Sequence, residues 1–127
     1  MRRFDLPLFL ETVEKYNITE LAVVPPVVLA ILASPLAHSR PFLRSVRAAA
    51  VGAAPLDKVA QARFRALLAP GAPCTQVWGM TESSCIATLV PYPQTDDSGS
   101  VGVLIPNVEA KCVSFLPSHW GRHTCKG

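Results

Sequence analysis

Ser45-Val46-Arg47-Ala48-Ala49-Ala50-Val51-Gly52-Ala53-Ala54-Pro55-Leu56 and, further on, Thr75-Gln76-Val77-Trp78-Gly79-Met80-Thr81-Glu82 are the residues on which the fold turns. Ser45 to Val51 is apolar enough for a central strand, and Gly52-Ala53-Ala54-Pro55 is a tight turn of small residues. Pro55, whose fixed φ suits a first helical position, predicts a helix through about Leu68 that Pro70-Gly71 closes. Thr75 to Trp78 reads as the next strand. Strand, helix, strand in that order predicts a parallel βαβ crossover, and hence an α/β chain with a mostly parallel sheet. Ligands bind such sheets outside the carboxyl ends of the strands. Those ends are Gly52 to Ala54 and Gly79 to Glu82, so the two bends are expected side by side.

Upstream, Leu6, Phe9, Leu10 and Val13 follow the i, i+3, i+4, i+7 spacing of an amphipathic helix. Ile18 to Val24 reads as a short buried strand, and Val27 to Ala33 as a helix begun after Pro25-Pro26. Leu21 to Ser39 carries no formal charge, but Pro25, Pro26 and Pro35 break it into runs shorter than the roughly 20 residues a bilayer requires. It reads as core, with no transmembrane segment. Downstream, Ser83 to Val90 starts as a loop and ends as a strand, Pro91 to Ser100 is a turn-rich connection, and Val108 to Val113 is a further strand. Residues 114–127 have little periodicity and receive no assignment.

Composition narrows the function classes. The chain has 127 residues, 50% of them hydrophobic and 17% charged, with a mean hydropathy of +0.30. A solvated disordered chain needs the opposite balance. A chain of this length buries roughly two-thirds of its unfolded surface and needs no staples. The net charge of +3 is mild, and Arg40, Arg44 and Arg47, the densest basic group, lack the aromatic interleaving of a nucleic-acid surface. Cys74, Cys85, Cys112 and Cys125 form no C-x-x-C pair, which points to reduced thiols and a cytoplasmic setting. The ending Cys125-Lys126-Gly127 is not the peroxisomal Ser-Lys-Leu. Cys112, His119, His123 and Cys125 match no common zinc spacing.

Two clusters carry chemistry. In Gln76 to Glu82, an aromatic gives a flat face for a purine, and Gly79 lets backbone approach a ligand. Thr81 offers a hydroxyl to a phosphate oxygen, and Glu82 is a hard carboxylate suited to Mg²⁺. The bland alternative is a polar turn with a cap residue. In Val51 to Leu56, minimal side chains allow the loop to lie flat against a ring; the alternative is close helix–strand packing.

The two clusters occur in order with Gly99-Ser100-Val101-Gly102 and Pro106-Asn107-Val108-Glu109-Ala110-Lys111. Together they resemble the adenylate-forming (AMP-dependent) synthetase superfamily, on its branch of 4-coumarate–CoA ligase-like acyl-CoA synthetases. Phe4-Asp5-Leu6 and Val23-Val24-Pro25-Pro26-Val27 fit the same region. The resemblance runs from about Met1 to Val113, so residues 1–113 are expected to be part of an AMP-binding domain and 114–127 a divergent tail.

The resemblance implies ATP-dependent activation of a small carboxylic acid to an acyl-adenylate, then transfer of the acyl group to the thiol of coenzyme A. It places Gly52, Ala53 and Ala54 beside adenine and acyl group, and Trp78, where the family usually has tyrosine, against the adenine. Gly79 and Met80 continue that turn, Thr81 is similar to a phosphate-binding threonine, and Glu82 to a Mg²⁺ ligand. Thr81 and Glu82 are thus the implied catalytic pair. Ala54, Gly79, Ile86 and Ala87 fall on the acyl pocket. Cys85 replaces a frequent proline and Val77 a common glycine.

A Ser/Thr/Gly-rich phosphate loop, a ribose-binding aspartate and a lysine-bearing C-terminal domain belong to the family and match nothing in this sequence. Adenylation depends on positioning and on compensating charge at the transferred phosphate. Little ligase activity is therefore expected of these 127 residues alone. The alternative is a non-catalytic remnant or binding module.

Overall fold

The computed structural model describes residues 3–112 and 123–125. Helix α1 spans Leu6–Lys15, and its start is set by Asp5, whose Oδ1 accepts from the Leu8 N–H at 2.9 Å. Leu10 and Val13 of the expected apolar stripe are buried. Strand β1 is Glu20–Val23, and α2 is Pro25–Ala33. The expected start of α2 at Val27 moves back to the proline pair itself, because the first helical positions need no N–H. The break expected at Pro35 is observed, and a short helix that the sequence reading did not assign, α3, follows at Pro35–Ser39.

Strand β2 is Ala48–Val51 and α4 is Lys58–Arg65. Pro55 does not open this helix. Asp57 caps it, with Oδ2 accepting from the N–H groups of Val59 (2.8 Å) and Ala60 (3.2 Å), and Pro55 stays in the loop. The chain beyond Arg65 tightens through Leu67 and Leu68 N–H bonds to the carbonyls three residues back. Strand β3 is Cys74–Gln76, and β1-β2-β3 form a parallel sheet in sequence order, with Leu21 opposite Ala49 and Val51 opposite Gln76. The expected crossover is observed. Leu21, Ala49 and Val51 face a core with Leu10, Val28, Ile31 and Phe64, whereas Glu20 and Ala22 on the other face are exposed.

The expected strand from Thr75 to Trp78 divides in two. After Val77, whose N–H still bonds the Val51 carbonyl at 2.9 Å, the chain leaves the parallel sheet. Trp78–Met80 becomes β4, which pairs antiparallel with β5, Cys85–Leu89, and β5 pairs with β6, Val103–Leu104. A 3₁₀ turn, Thr81–Ser83, and positive φ at Ser84 (+58°) and Cys85 (+102°) reverse the chain between β4 and β5. The second sheet is thus antiparallel and stands beside the parallel one, an arrangement the expectation of a mostly parallel sheet did not specify.

Residues 91–100 are irregular, as expected, and are organised by Asp96. Its carboxylate accepts from the Ser98 hydroxyl (2.8 Å) and from the backbone of Ser98 and Ser100, which holds its pKa below the ordinary value. Strand β7, Ala110–Cys112, lies within the expected 108–113 strand and pairs antiparallel with β8, His123–Cys125. The rest of the 114–127 tail, and with it the Cys112–Cys125 metal question, lies outside the described residues. Among the described residues no group of metal-binding side chains assembles, and no helix is long and apolar enough to cross a membrane.

Candidate functional site

Two buried glutamines fasten the loop after β2 to the strand beside it. Gln76, 3% exposed in β3, accepts from the Leu56 N–H through Oε1 (2.8 Å) and donates through Nε2 to the Leu56 carbonyl (2.8 Å). The same Nε2 donates to Gln61 Oε1 at 2.9 Å. Gln61 Nε2 donates in turn to the carbonyls of Cys74 (2.7 Å) and Asp96 (2.9 Å). Every polar atom of both amides is engaged, which is the condition for such groups to sit in a core without large cost. The loop from Gly52 to Asp57 is therefore held from β3, α4 and the 91–100 segment at once.

The loop's other end is held by Gly52, whose N–H donates to the Val23 carbonyl at 3.2 Å. Ala53 then adopts φ +70°, a left-handed conformation that an L side chain resists by about 1 kcal/mol. Ala53→Gly is accordingly expected to raise stability by about 0.5 kcal/mol, since the relieved strain is partly offset by the freer unfolded chain. A lower urea midpoint for Ala53→Gly would contradict this account of the loop.

A cleft of about 670 Å³ opens where the carboxyl ends of the parallel strands meet the second sheet. Val23 and Val24 close it where β1 ends, and Ala50, Gly52 and Ala53 where β2 runs into its loop. Val77, Gly79, Met80 and Thr81 line the opposite wall, together with Ser84, Cys85 and Ile86. That wall depends on Gly79. A Cβ there would fall on the Cys85 carbonyl oxygen, so only glycine lets β4 and β5 approach as they do. Ser83 secures the turn beside it, donating to the Met80 carbonyl at 3.0 Å and accepting from the Met80 N–H at 3.2 Å.

Of the residues singled out in the sequence, Gly52, Ala53, Gly79, Met80, Thr81 and Ile86 line this one cleft. The two bends do converge, through Ala53 rather than Ala54. Ala54, Trp78 and Glu82 are exposed at residues adjoining the lining and are not part of the wall. Ala87 is 1% exposed, because alternation along β5 sends it to the face opposite Ile86; of the pair expected on an acyl wall, only Ile86 lines the cleft. Sequence reasoning missed Val23, Val24 and Ala50, although the parallel pairing of Val23 with Val51 brings those strand ends together. It missed the role of the glutamine pair as well: Gln76 stands in a short buried strand and Gln61 in a helix that is half polar, and neither setting marks a glutamine as buried. Burial pushes the Cys74 thiol up to about 11 against the opposing pull of Arg65, which leaves it unreactive. Cys85, by contrast, is exposed on the cleft.

A small-residue loop and a threonine turn thus converge at the carboxyl ends of a parallel α/β sheet, the place where such sheets take their ligands. The chain belongs to the AMP-binding enzyme family, whose sequence model matches residues 1–116. Its relatives are acyl-CoA ligases. The acyl-CoA ligase azaF of Aspergillus niger is 58% identical over 118 residues, covering 90% of this chain and 22% of the relative. The 4-coumarate–CoA ligase-like 6 of Oryza sativa subsp. japonica is 42% identical over 114 residues, covering 89% of this chain and 19% of that protein. The fold matches the crystal structure of a long-chain-fatty-acid–CoA ligase, FadD1 of Archaeoglobus fulgidus. The TM-score is 0.77 at 24% identity, over 94% of this chain and 25% of that one. The chain thus spans about a fifth of the length of the curated relatives it matches.

Proposed function

We propose that the cleft is part of the ATP and acyl site of an acid–thiol ligase that forms an acyl-adenylate and then a coenzyme A thioester. The observation that carries this reading is the convergence of Ala53 and Thr81 on one cleft at the strand ends. In it, the Gly52–Ala54 loop and Trp78 flank the adenine, and the Thr81 hydroxyl donates to a phosphate oxygen. Ile86 and Gly79 border the acyl group. Glu82 would hold Mg²⁺, which neutralises phosphate charge when bound. Its exposed carboxylate has no ion-pair partner among the described residues, and one such hard oxygen donor plus phosphates is an ordinary Mg²⁺ set. The small acid, ATP and coenzyme A are the partners of this reading.

Binding without turnover is the second reading. ATP binding with and without Mg²⁺, followed through Trp78 fluorescence in a Trp120→Phe background, tests the first. Glu82→Gln is expected to remove most of the Mg²⁺-dependent gain, about tenfold, with Mg²⁺-free binding unchanged. Equal Mg²⁺ dependence in both proteins would take Glu82 out of the site. ATP–pyrophosphate exchange with added acids separates the readings, as binding without exchange leaves the second.

A further inference from the structure

Three hydroxyls stand on the turn between β4 and β5, and they are used differently. That of Ser83 is engaged within the turn, donating to the Met80 carbonyl and accepting from the Met80 N–H. Those of Thr81 and Ser84 form no hydrogen bond among the described residues, and both residues line the cleft. The Ser84 N–H donates to the Thr81 carbonyl at 3.1 Å, which closes the turn and holds the two residues as one unit. Among the described residues no Lys or Arg lines the cleft, so an anionic oxygen there is met by neutral donors.

Ser84 carries its hydroxyl at this place in spite of its backbone. Its φ of +58° and ψ of +39° are left-handed, a conformation in which a Cβ crowds the following carbonyl oxygen. Glycine takes it without that penalty. Nothing local offsets the strain of the serine: the residue is exposed, and its hydroxyl makes no bond back to the turn. Side chains held on sparsely populated backbone cluster at ligand sites, where the strain is tied to what the side chain contacts. A glycine at position 84 would relax the turn and leave Thr81 as its one hydroxyl facing the cleft.

Resting on the reading of this cleft as a nucleotide site, we infer that Ser84 is a further binding residue for the triphosphate, its hydroxyl donating to a phosphate oxygen beside the one that Thr81 takes. Hydrogen bonds to a charged phosphate are stronger than those to neutral acceptors, and losing one costs about tenfold in affinity. The test titrates ATP and adenosine into Ser84→Ala and Ser84→Gly, following Trp78 fluorescence in the Trp120→Phe background. Both variants are expected to bind ATP about tenfold more weakly, with or without Mg²⁺, and adenosine unchanged. The Mg²⁺ control separates this loss from that of Glu82→Gln, which is confined to the Mg²⁺-dependent gain. Urea unfolding supplies the readout that a structural role would move the other way: Ser84→Gly is expected to raise the midpoint while weakening ATP. ATP bound as well as before, ATP and adenosine weakened alike, or a lower midpoint in Ser84→Gly would each overturn the assignment of Ser84, while the unsubstituted chain still binding ATP leaves the nucleotide site in place. No ATP binding by the unsubstituted chain would overturn the nucleotide reading itself, and this inference with it.

Discussion

Gln76→Ala is expected to destabilise the chain by about 4 kcal/mol, because it strands the Leu56 N–H, the Leu56 carbonyl and Gln61 Oε1 in a buried setting. Each orphaned group costs about 1–3 kcal/mol, and water entering the space left behind recovers part of that. The urea midpoint reads the loss directly, provided the slope of the transition is unchanged. Gln76→Glu separates hydrogen bonding from volume. It keeps the acceptor for Leu56 and removes both donated bonds, and it buries a carboxylate without a positive partner. Burial raises the folded-state pKa of that carboxylate above its unfolded value of about 4.3. Its destabilisation is therefore smallest below that pH and grows as pH rises through the raised value. A Gln76→Glu variant equally stable at pH 4 and pH 7 would show that position 76 is not sealed from water.

Gly79→Ala is the second large effect. The added methyl group meets the backbone of Cys85 and Ile86, which cannot rotate away as a flexible side chain would. Overpacking of side chains costs about 1–3 kcal/mol, and a collision with backbone belongs at or above the top of that range. β4 and β5 must separate to accept it, and Met80, Thr81 and Ile86 move with them. Gly79→Ala is therefore expected to cost about 3 kcal/mol and to weaken ATP binding as well, whereas Ala53→Gly on the facing wall spares stability. Normal stability in Gly79→Ala would mean that the hairpin pairs differently from the register in which Gly79 lies opposite Ile86.

The parallel half of the fold was legible because its signals are local. The apolar spacing of α1, the run of small residues in β2 and the order of strand, helix and strand each lie within a few adjacent residues. The antiparallel half was not, because what turns the chain at Val77 is a clash avoided by Gly79 and a reversal at Ser84 and Cys85, neither of which has a strong residue signature. Pro55 misled for a related reason: proline and Asp57 both suit a helix start, and the side-chain cap two residues later won. The site divided in the same way. Motif residues on the two bends were found, while Val23, Val24 and Ala50 entered it through strand pairing across the sheet.

The bond from Gln61 to the Asp96 carbonyl joins residues 35 positions apart, and the bonds from Gln76 reach back 15 and 20. None of these can form until distant parts of the polypeptide have already met, and closing long loops is entropically slow. The loop flanking the cleft is therefore expected to take its shape together with the polar lock beneath it. Kinetically, substitutions at Gln61 or Gln76 should accelerate unfolding and leave the refolding rate nearly untouched.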